Sequence, residues 1–237
     1  MHTSLYTPPV LVSPLPSISS RAISLANRNG RPKKSARGAF VATKGPRRLI
    51  YFESALEYKI FLLLSARPDV EEIQEQQVVS YVDQNGRLTT HTFDARLKRK
   101  SDDVLVAVRP YELAMRKGFP QLLELIGKQV PRSFASQVVL ITERDCSAAE
   151  LHNAELIHAS RLDADADGDA LIRDIVGSVR EPISVKHLVE RAGEDRGRSF
   201  RAVVRLIANS ELTMPEPGRI AYSTIVVPEA LGTGEVR

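Results

Sequence analysis

The chain has 237 residues, of which 43% are hydrophobic and 26% are charged, and its formal net charge at pH 7 is +4. These values are typical of a soluble globular protein with one large domain or two small ones. No apolar run approaches the roughly 20 residues needed to cross a bilayer, which excludes a membrane-spanning helix. Cys146 is the only cysteine, so an intramolecular disulfide and a cysteine-based zinc site are excluded and a reducing cytoplasm is expected.

The positive charge is concentrated at the N-terminus. Residues 1–52 hold nine of the 33 basic residues and none of the 29 acidic ones, so residues 53–237 carry a net charge of −5. Many prolines and no sustained periodicity predict that residues 1–48 form a disordered basic arm. Such an arm suits a polyanionic partner such as DNA, with Lys33, Lys34, Arg37 and Lys44 as candidate contacts. A solvated tail that only keeps the protein soluble is the alternative.

Order is expected to begin near Arg48. Ser54 can cap a helix with a wide apolar face, which Pro68 ends, and Asn85-Gly86 can form a turn between two strands. The predicted helices cover residues 54–66, 110–128 and 148–160, with Pro120 kinking or splitting the second. The predicted strands cover residues 70–82, 88–98, 104–108 and 137–142. This order predicts an α/β domain over residues 49–162, with helices flanking a mixed sheet.

The C-terminal part is predicted to be a separate helical domain. Residues 163–170 are expected to be a linker, and residues 171–237 contain three helical patterns followed by a hairpin, the order of a winged helix. Arg198, Arg201 and Arg205 recur at three- and four-residue spacing on the third helix and so share one face. They are candidate contacts to DNA phosphates or base edges. The alternative is a solvated face on an ordinary packed helix.

Acidic residues near the predicted sheet indicate metal-dependent hydrolysis as a possible chemistry. Metal-dependent hydrolysis of a phosphodiester needs two or three carboxylates to hold the ion and a cation to steady the attacking water or the developing charge. The restriction-endonuclease fold usually supplies a helix Glu, a strand Asp, and a Glu-x-Lys or Gln-x-Lys on the next strand. Strand alternation places both residues of that last pair on one face.

Colinear motifs across roughly residues 38–228 resemble those of the TnsA family of transposon endonucleases. The segment from Glu53 to Glu57 resembles the family's Glu-Ser-x-Leu-Glu opening. The other matching segments are residues 42–44, 70–76, 92–94 and 106–110, and the stretch from Ile141 through Asn153 to Leu156. The resemblance implies a restriction-endonuclease-like domain followed by a small winged-helix-like domain, with DNA cleavage during transposition as the activity.

Carried over by motif, Glu57 and Asp94 are the implied Mg²⁺ ligands, and Arg109 is the implied catalytic cation. Two positions depart from the family's pattern. Ala107 stands where the family has Glu or Gln and cannot bind a metal ion, and Arg109 replaces a lysine with a larger, planar cation. Lys98 lies four residues beyond Asp94, on the same strand face, and is a candidate migrated cation.

The resulting hypothesis is a TnsA-like protein of transposition or mobile-element DNA processing, which is a metal-dependent endonuclease if its site is active. The implied partners are DNA, a transposase subunit and an ATPase, with no membrane. One alternative is a catalytically inactive nuclease-fold protein that binds DNA or assembles a complex. A second is a regulator that uses only the winged helix. Glu57 and Asp94 favour cleavage, whereas Ala107 and Arg109 favour the inactive form.

Overall fold

A computed structural model describes residues 36–193 and 195–232, apart from the side chains of residues 230 and 232. The chain divides into two compact units. Among the described residues, the first contains residues 36–61 and 70–145, and the second contains residues 62–69, 146–193 and 195–232. No helix among the described residues is long and apolar enough to cross a membrane.

The first unit is built on a four-stranded mixed sheet. Its elements are β1 (Gly38–Val41), β2 (Leu49–Phe52), the start of α1 (Ala55–Ala66), β3 (Val70–Val82), β4 (Leu88–Arg99), β5 (Asp103–Val108), α2 (Tyr111–Arg116), α3 (Phe119–Gly127) and β6 (Gln137–Ile141). The strand order is β3-β4-β5-β6, antiparallel up to β5 and parallel between β5 and β6. The expected mixed α/β sheet flanked by helices is therefore confirmed.

Local chemistry explains where these elements begin and end. The Asp83 side chain accepts hydrogen bonds from the backbone N–H groups of Asn85 and Arg87, and Gly86 adopts φ +75°, which closes the turn between β3 and β4. Gly118, at φ +62°, separates α2 from α3, and Pro120 lies in the first turn of α3. The predicted helix over residues 110–128 is thus split in two.

The N-terminal hairpin corrects the predicted boundary of the basic arm. β1 pairs with β2 in antiparallel register from Gly38↔Phe52 to Val41↔Leu49, so residues 38–41 are not part of a disordered arm. Arg48 forms an ion pair with Glu75 of β3, 2.6 Å between nitrogen and oxygen, and the Tyr51 N–H donates to the same carboxylate at 3.1 Å. Glu75 is fully buried, so this contact holds the hairpin against the sheet.

The β3–β4 ladder is interrupted beside a candidate site residue. Glu75 pairs with Ala95 and Gln77 with Phe93, which leaves Gln76 opposite Asp94 without a ladder pair. Gln76 has φ 59°, a left-handed conformation that costs about 1–2 kcal/mol for a residue with a Cβ. Sequence offers no signal for this strain, because Gln is not a residue that favours positive φ.

Replacing Gln76 by glycine is expected to raise the free energy of unfolding by up to about 1 kcal/mol, because glycine adopts positive φ without steric cost. Urea unfolding followed by circular dichroism measures the change. Gln74→Gly is the matched control, since Gln74 is a buried residue of the same strand with ordinary pairing to Arg96. The control is expected to be destabilising, and an equal loss in Gln76→Gly would contradict the assignment of strain.

The second unit is mainly helical. It contains α4 (Ala148–Leu162), α5 (Ala166–Gly177), β7 (Ile183–Ser184), α6 (Val185–Ala192), α7 (Arg196–Ala208), β8 (Leu212–Thr213), β9 (Ile225–Pro228) and α8 (Glu229–Gly232). The three short strands are ordered β7-β9-β8, with β9 antiparallel to both neighbours. One buried cluster joins α5, α6 and α7 through residues that include Ile172, Leu188 and Leu206.

Two predicted boundaries in this region are wrong. Ala166 already begins α5, with the Asp165 side chain capping it through the Gly168 N–H, so residues 163–170 are not a linker. α4 was assigned to the nuclease-like domain, but it belongs to the second unit. There, Ile157 of α4 packs in a buried cluster with Val204 and Ala208 of α7. The strand β7 was not predicted.

Candidate functional site

Glu57 lies in the first turn of α1 and is held by the backbone that enters the helix. The Glu53 N–H donates to Oε2 at 2.8 Å, and the Ser54 hydroxyl donates to Oε1 at 3.2 Å. Burial raises the pKa of Glu57, the hydrogen bond from Glu53 opposes that rise, and the negative charge of Asp94 adds to it. The charge of Asp94 is thus one of the causes that act on the pKa of Glu57.

Asp94 lies on β4 and is only 6% exposed. Its Oδ2 accepts a hydrogen bond from the Val108 N–H at 2.7 Å and forms an ion pair with Nη1 of Arg109, also at 2.7 Å. Both donors come from the end of β5, because the antiparallel register that pairs Ala95 with Val106 brings this end beside Asp94. The end of β5 thus compensates the buried charge of Asp94.

Arg109 is held in place on several sides. Its Nη1 also donates to the Val108 carbonyl, and its guanidinium lies 5.3 Å from the centroid of the Phe119 ring. His91 packs against the same ring, with centroids 5.6 Å apart. Burial, and then the charge of Arg109, lower the pKa of His91, which favours a neutral imidazole. His91 and Phe119 were not predicted as site residues.

Ala107 is fully buried and belongs to an apolar cluster that includes Leu105, Leu123 and Ile126. Its methyl group offers no oxygen or nitrogen to a metal ion. Because the surrounding side chains are apolar, a carboxylate introduced here would enter a hydrophobic environment. Ala107, which departs from the family's pattern, is therefore part of the packed apolar cluster.

The implied magnesium ion is poorly matched by these residues. Mg²⁺ prefers a set of oxygen ligands in octahedral geometry, and here Asp94 already bonds to a guanidinium and a backbone N–H. Within residues 36–193 and 195–232, no group of three or more His, Cys, Asp or Glu side chains could hold a metal ion. The described side chains around Asp94 therefore do not fit a catalytic magnesium ion.

Lys98 is not placed to act as the migrated cation. Its Nζ lies 3.4 Å from Oε2 of Glu72 on β3, so it pairs with a different carboxylate. Four residues along a strand correspond to about 13 Å, which separates Lys98 from Asp94. The expectation of a replacement cation at this position is therefore wrong.

The three arginines of α7 that were predicted to contact DNA have intramolecular partners. Arg205 is buried and binds Asp169 at 2.7 Å as well as the carbonyl oxygens of Ser160 and Asp163, so it cannot contact DNA as expected. Arg198 pairs with Asp165 at 2.5 Å and Arg201 with Asp163 at 2.7 Å. Their side chains keep 35% and 40% exposure, so these two residues stay candidate DNA contacts.

The candidate contacts in the arm fall into two groups. Lys33 and Lys34 lie outside the described residues. Lys44 donates to the Val70 carbonyl at 2.8 Å, and Arg37 lies 3.9 Å from Glu53, so both have partners within the first unit. Their role in DNA binding stays a prediction.

Asn153, in the segment from Ile141 to Leu156 that resembles the family, forms two hydrogen bonds within the second unit. Its side chain donates to the Gly218 carbonyl and accepts from the Ile220 N–H, both at 2.8 Å. These bonds fix the loop between β8 and β9 against α4 within the second unit. This position is therefore structural rather than part of the candidate site.

No model of a known protein family matches this chain, and no curated protein matches it at a significant level.

Proposed function

We propose that this protein is a TnsA-like, nuclease-fold DNA-binding protein that acts in transposition or mobile-element DNA processing without cutting DNA by itself. The observation that carries the proposal is the arrangement of two carboxylates and one cation. Arg109 forms an ion pair with Asp94 of the mixed sheet, and the charge of Asp94 acts on Glu57 of the preceding helix. The proposed setting is the cytoplasm, and the proposed partners are DNA, a transposase subunit and an ATPase.

The order of elements supports the proposal. α1, the meander β3-β4-β5, the helices α2 and α3, and the parallel strand β6 follow the arrangement expected of a restriction-endonuclease-like domain. Glu57 lies in the first turn of α1, and Asp94 lies on the middle strand of the meander. Ala107 lies near the end of the next strand, and Arg109 follows its last residue. These are the places where the resemblance puts the catalytic groups.

The chemistry of the site supports binding more than cleavage. The family's pattern has a carboxylate or amide at position 107 as a third ligand, and Ala107 supplies neither. Arg109 neutralises Asp94 directly, so a divalent ion would compete with a fixed cation for the same oxygen. The rival proposal, an active endonuclease, is favoured by the presence of both Glu57 and Asp94.

The second unit supports a winged-helix-like assignment through its order α5, β7, α6, α7, β8 and β9. α7 is nevertheless a poor recognition helix. Its buried residues include Ala202 to Leu206, and it packs against α4 as well as α5 and α6. A transcriptional regulator that reads DNA through α7 alone is therefore the weaker alternative.

DNA binding is tested by fluorescence anisotropy of a labelled duplex over a series of salt concentrations. We expect the full chain to bind without sequence preference, and a chain that begins at residue 36 to bind more weakly with a smaller salt slope. Each lost phosphate contact lowers the slope by about 0.9. Lys128→Ala, which removes a highly exposed lysine at the C-terminal cap of α3, is the control and should leave the slope unchanged.

The same preparations are incubated with supercoiled plasmid and either Mg²⁺ or Mn²⁺. We expect no nicking above the level of an Asp94→Asn variant. Wild-type cleavage that Asp94→Asn abolishes would establish the active endonuclease instead. An unchanged salt slope after removal of residues 1–35 would show that the arm does not bind DNA.

A further inference from the structure

Asp94 is a buried carboxylate that needs a permanent counter-charge. It is 6% exposed, and its Oδ2 has two donors, the Val108 N–H and Nη1 of Arg109. An ionised carboxylate removed from water is unfavourable unless it is paired and hydrogen-bonded. A second carboxylate, Glu57, acts on it electrostatically and increases this need.

Arg109 supplies the positive charge that the buried carboxylate of Asp94 requires. A guanidinium stays charged at every pH a folded protein experiences, and its planar group is fixed here by Asp94, the Val108 carbonyl and the Phe119 ring. Arg109 follows Val108 directly, so one strand end delivers both donors to the same oxygen.

Within residues 36–193 and 195–232, Glu57 forms no ion pair comparable to that of Asp94. Its pKa is set by burial, by hydrogen bonds from Glu53 and Ser54, and by the charges of Asp94 and Glu53. Among the side chains that the structure describes, Arg109 thus compensates the acidic pair at Asp94.

We infer that Arg109 is a built-in cation that takes the place of a divalent metal ion beside Asp94, so that the first unit keeps its site intact without metal. A divalent ion at Asp94 would compete for the same oxygen and would be repelled by the guanidinium. Without the guanidinium, the buried carboxylate of Asp94 should lack a counter-charge, which a divalent metal ion can supply. The inference concerns metal dependence and does not rest on DNA binding.

The test compares thermal unfolding of the full-length wild type and Arg109→Met in EDTA and in millimolar MnCl₂. Methionine keeps an unbranched chain over Phe119 and removes the charge. We expect the wild-type midpoint to be the same in both buffers. We expect the Arg109→Met midpoint to be lower in EDTA and to rise by about 5 °C or more when Mn²⁺ exceeds its dissociation constant a hundredfold.

Two further variants separate this effect from a general loss of packing. Arg96→Met removes a similar arginine of the same sheet, which pairs with Asp103 and lies 4.1 Å from the Phe134 ring centroid. It should be destabilised without a response to Mn²⁺. The double variant Arg109→Met/Asp94→Asn removes both charges, and its midpoint should be the same in EDTA and in Mn²⁺.

A wild type that Mn²⁺ stabilises as strongly as Arg109→Met would overturn the inference, because a metal site would then exist beside the arginine. An Arg109→Met protein that Mn²⁺ does not stabilise, or that stays unfolded with Mn²⁺ present, would overturn it as well. A variant that folds only with Mn²⁺ would support it. None of these outcomes depends on whether the protein binds DNA, so the failure of this inference and of the proposed function are distinguishable.

Discussion

Replacing Arg205 by alanine is expected to lower the free energy of unfolding by about 3 kcal/mol or more. The Arg205 side chain is 6% exposed and that of Asp169 is 16% exposed, with 2.7 Å between them. The guanidinium also donates to the carbonyl oxygens of Ser160 and Asp163 at 3.0 and 2.9 Å. Its removal leaves the partly buried carboxylate of Asp169 and two backbone acceptors without these donors.

Urea unfolding of the full chain measures this loss, and Arg173→Ala is the matched control. Arg173 is also an α-helical arginine of the second unit, paired with Glu211 at 2.6 Å, but the two side chains are 46% and 33% exposed. Exposed ion pairs contribute at most about 1 kcal/mol, so the control should unfold nearly like the wild type. Equal effects of the two substitutions would show that the burial of Arg205 is not what stabilises the unit.

Replacing Glu75 by alanine is the other substitution with a large expected effect, again about 3 kcal/mol or more. Glu75 is fully buried, and its carboxylate binds the Arg48 guanidinium and the Tyr51 N–H. Alanine at this position leaves the cation of Arg48, whose side chain is 20% exposed, without its counter-charge. We also expect the hairpin of β1 and β2 to detach before the sheet unfolds.

Hydrogen exchange detects that detachment at the Tyr51 amide, which should exchange much faster in Glu75→Ala than in the wild type, while amides of β5 change little. Glu72→Ala on the same strand is the control. Glu72 lies 3.4 Å from Lys98, whose side chain is 42% exposed, so a small effect is expected. Uniformly faster exchange across the first unit would contradict a local role of Glu75.

Local sequence signals were sufficient for the order of elements from α1 to β6 in the first unit, but not for the hairpin of β1 and β2. A helix near Ser54, a turn at residues 83–87 and a nearly all-apolar strand at residues 104–108 each have a short-range cause, and all three occur in the structure. The mixed sheet then follows from the succession of these elements. The N-terminal concentration of positive charge is likewise a property of the sequence alone.

The candidate site could be located from sequence only in part. The motifs predicted that Glu57, Asp94 and Arg109 are site residues. In the structure, Arg109 forms an ion pair with Asp94, and the charge of Asp94 acts on Glu57. The strain at Gln76, the neighbouring ring of Phe119 and the neutral form favoured for His91 depend on strand register and on helix packing. None of these has a local sequence signature.

Only the tertiary structure decided which charged side chains are exposed. Helical spacing correctly placed Arg198, Arg201 and Arg205 on one face of α7, and each meets an aspartate from the region between α4 and the first turn of α5. Periodicity defines which residues share a face but not what covers that face, because the cover comes from distant parts of the chain. For the same reason, spacing along the strand did not show which cation pairs with Asp94. Lys98 pairs with Glu72 across the ladder, and Arg109 pairs with Asp94.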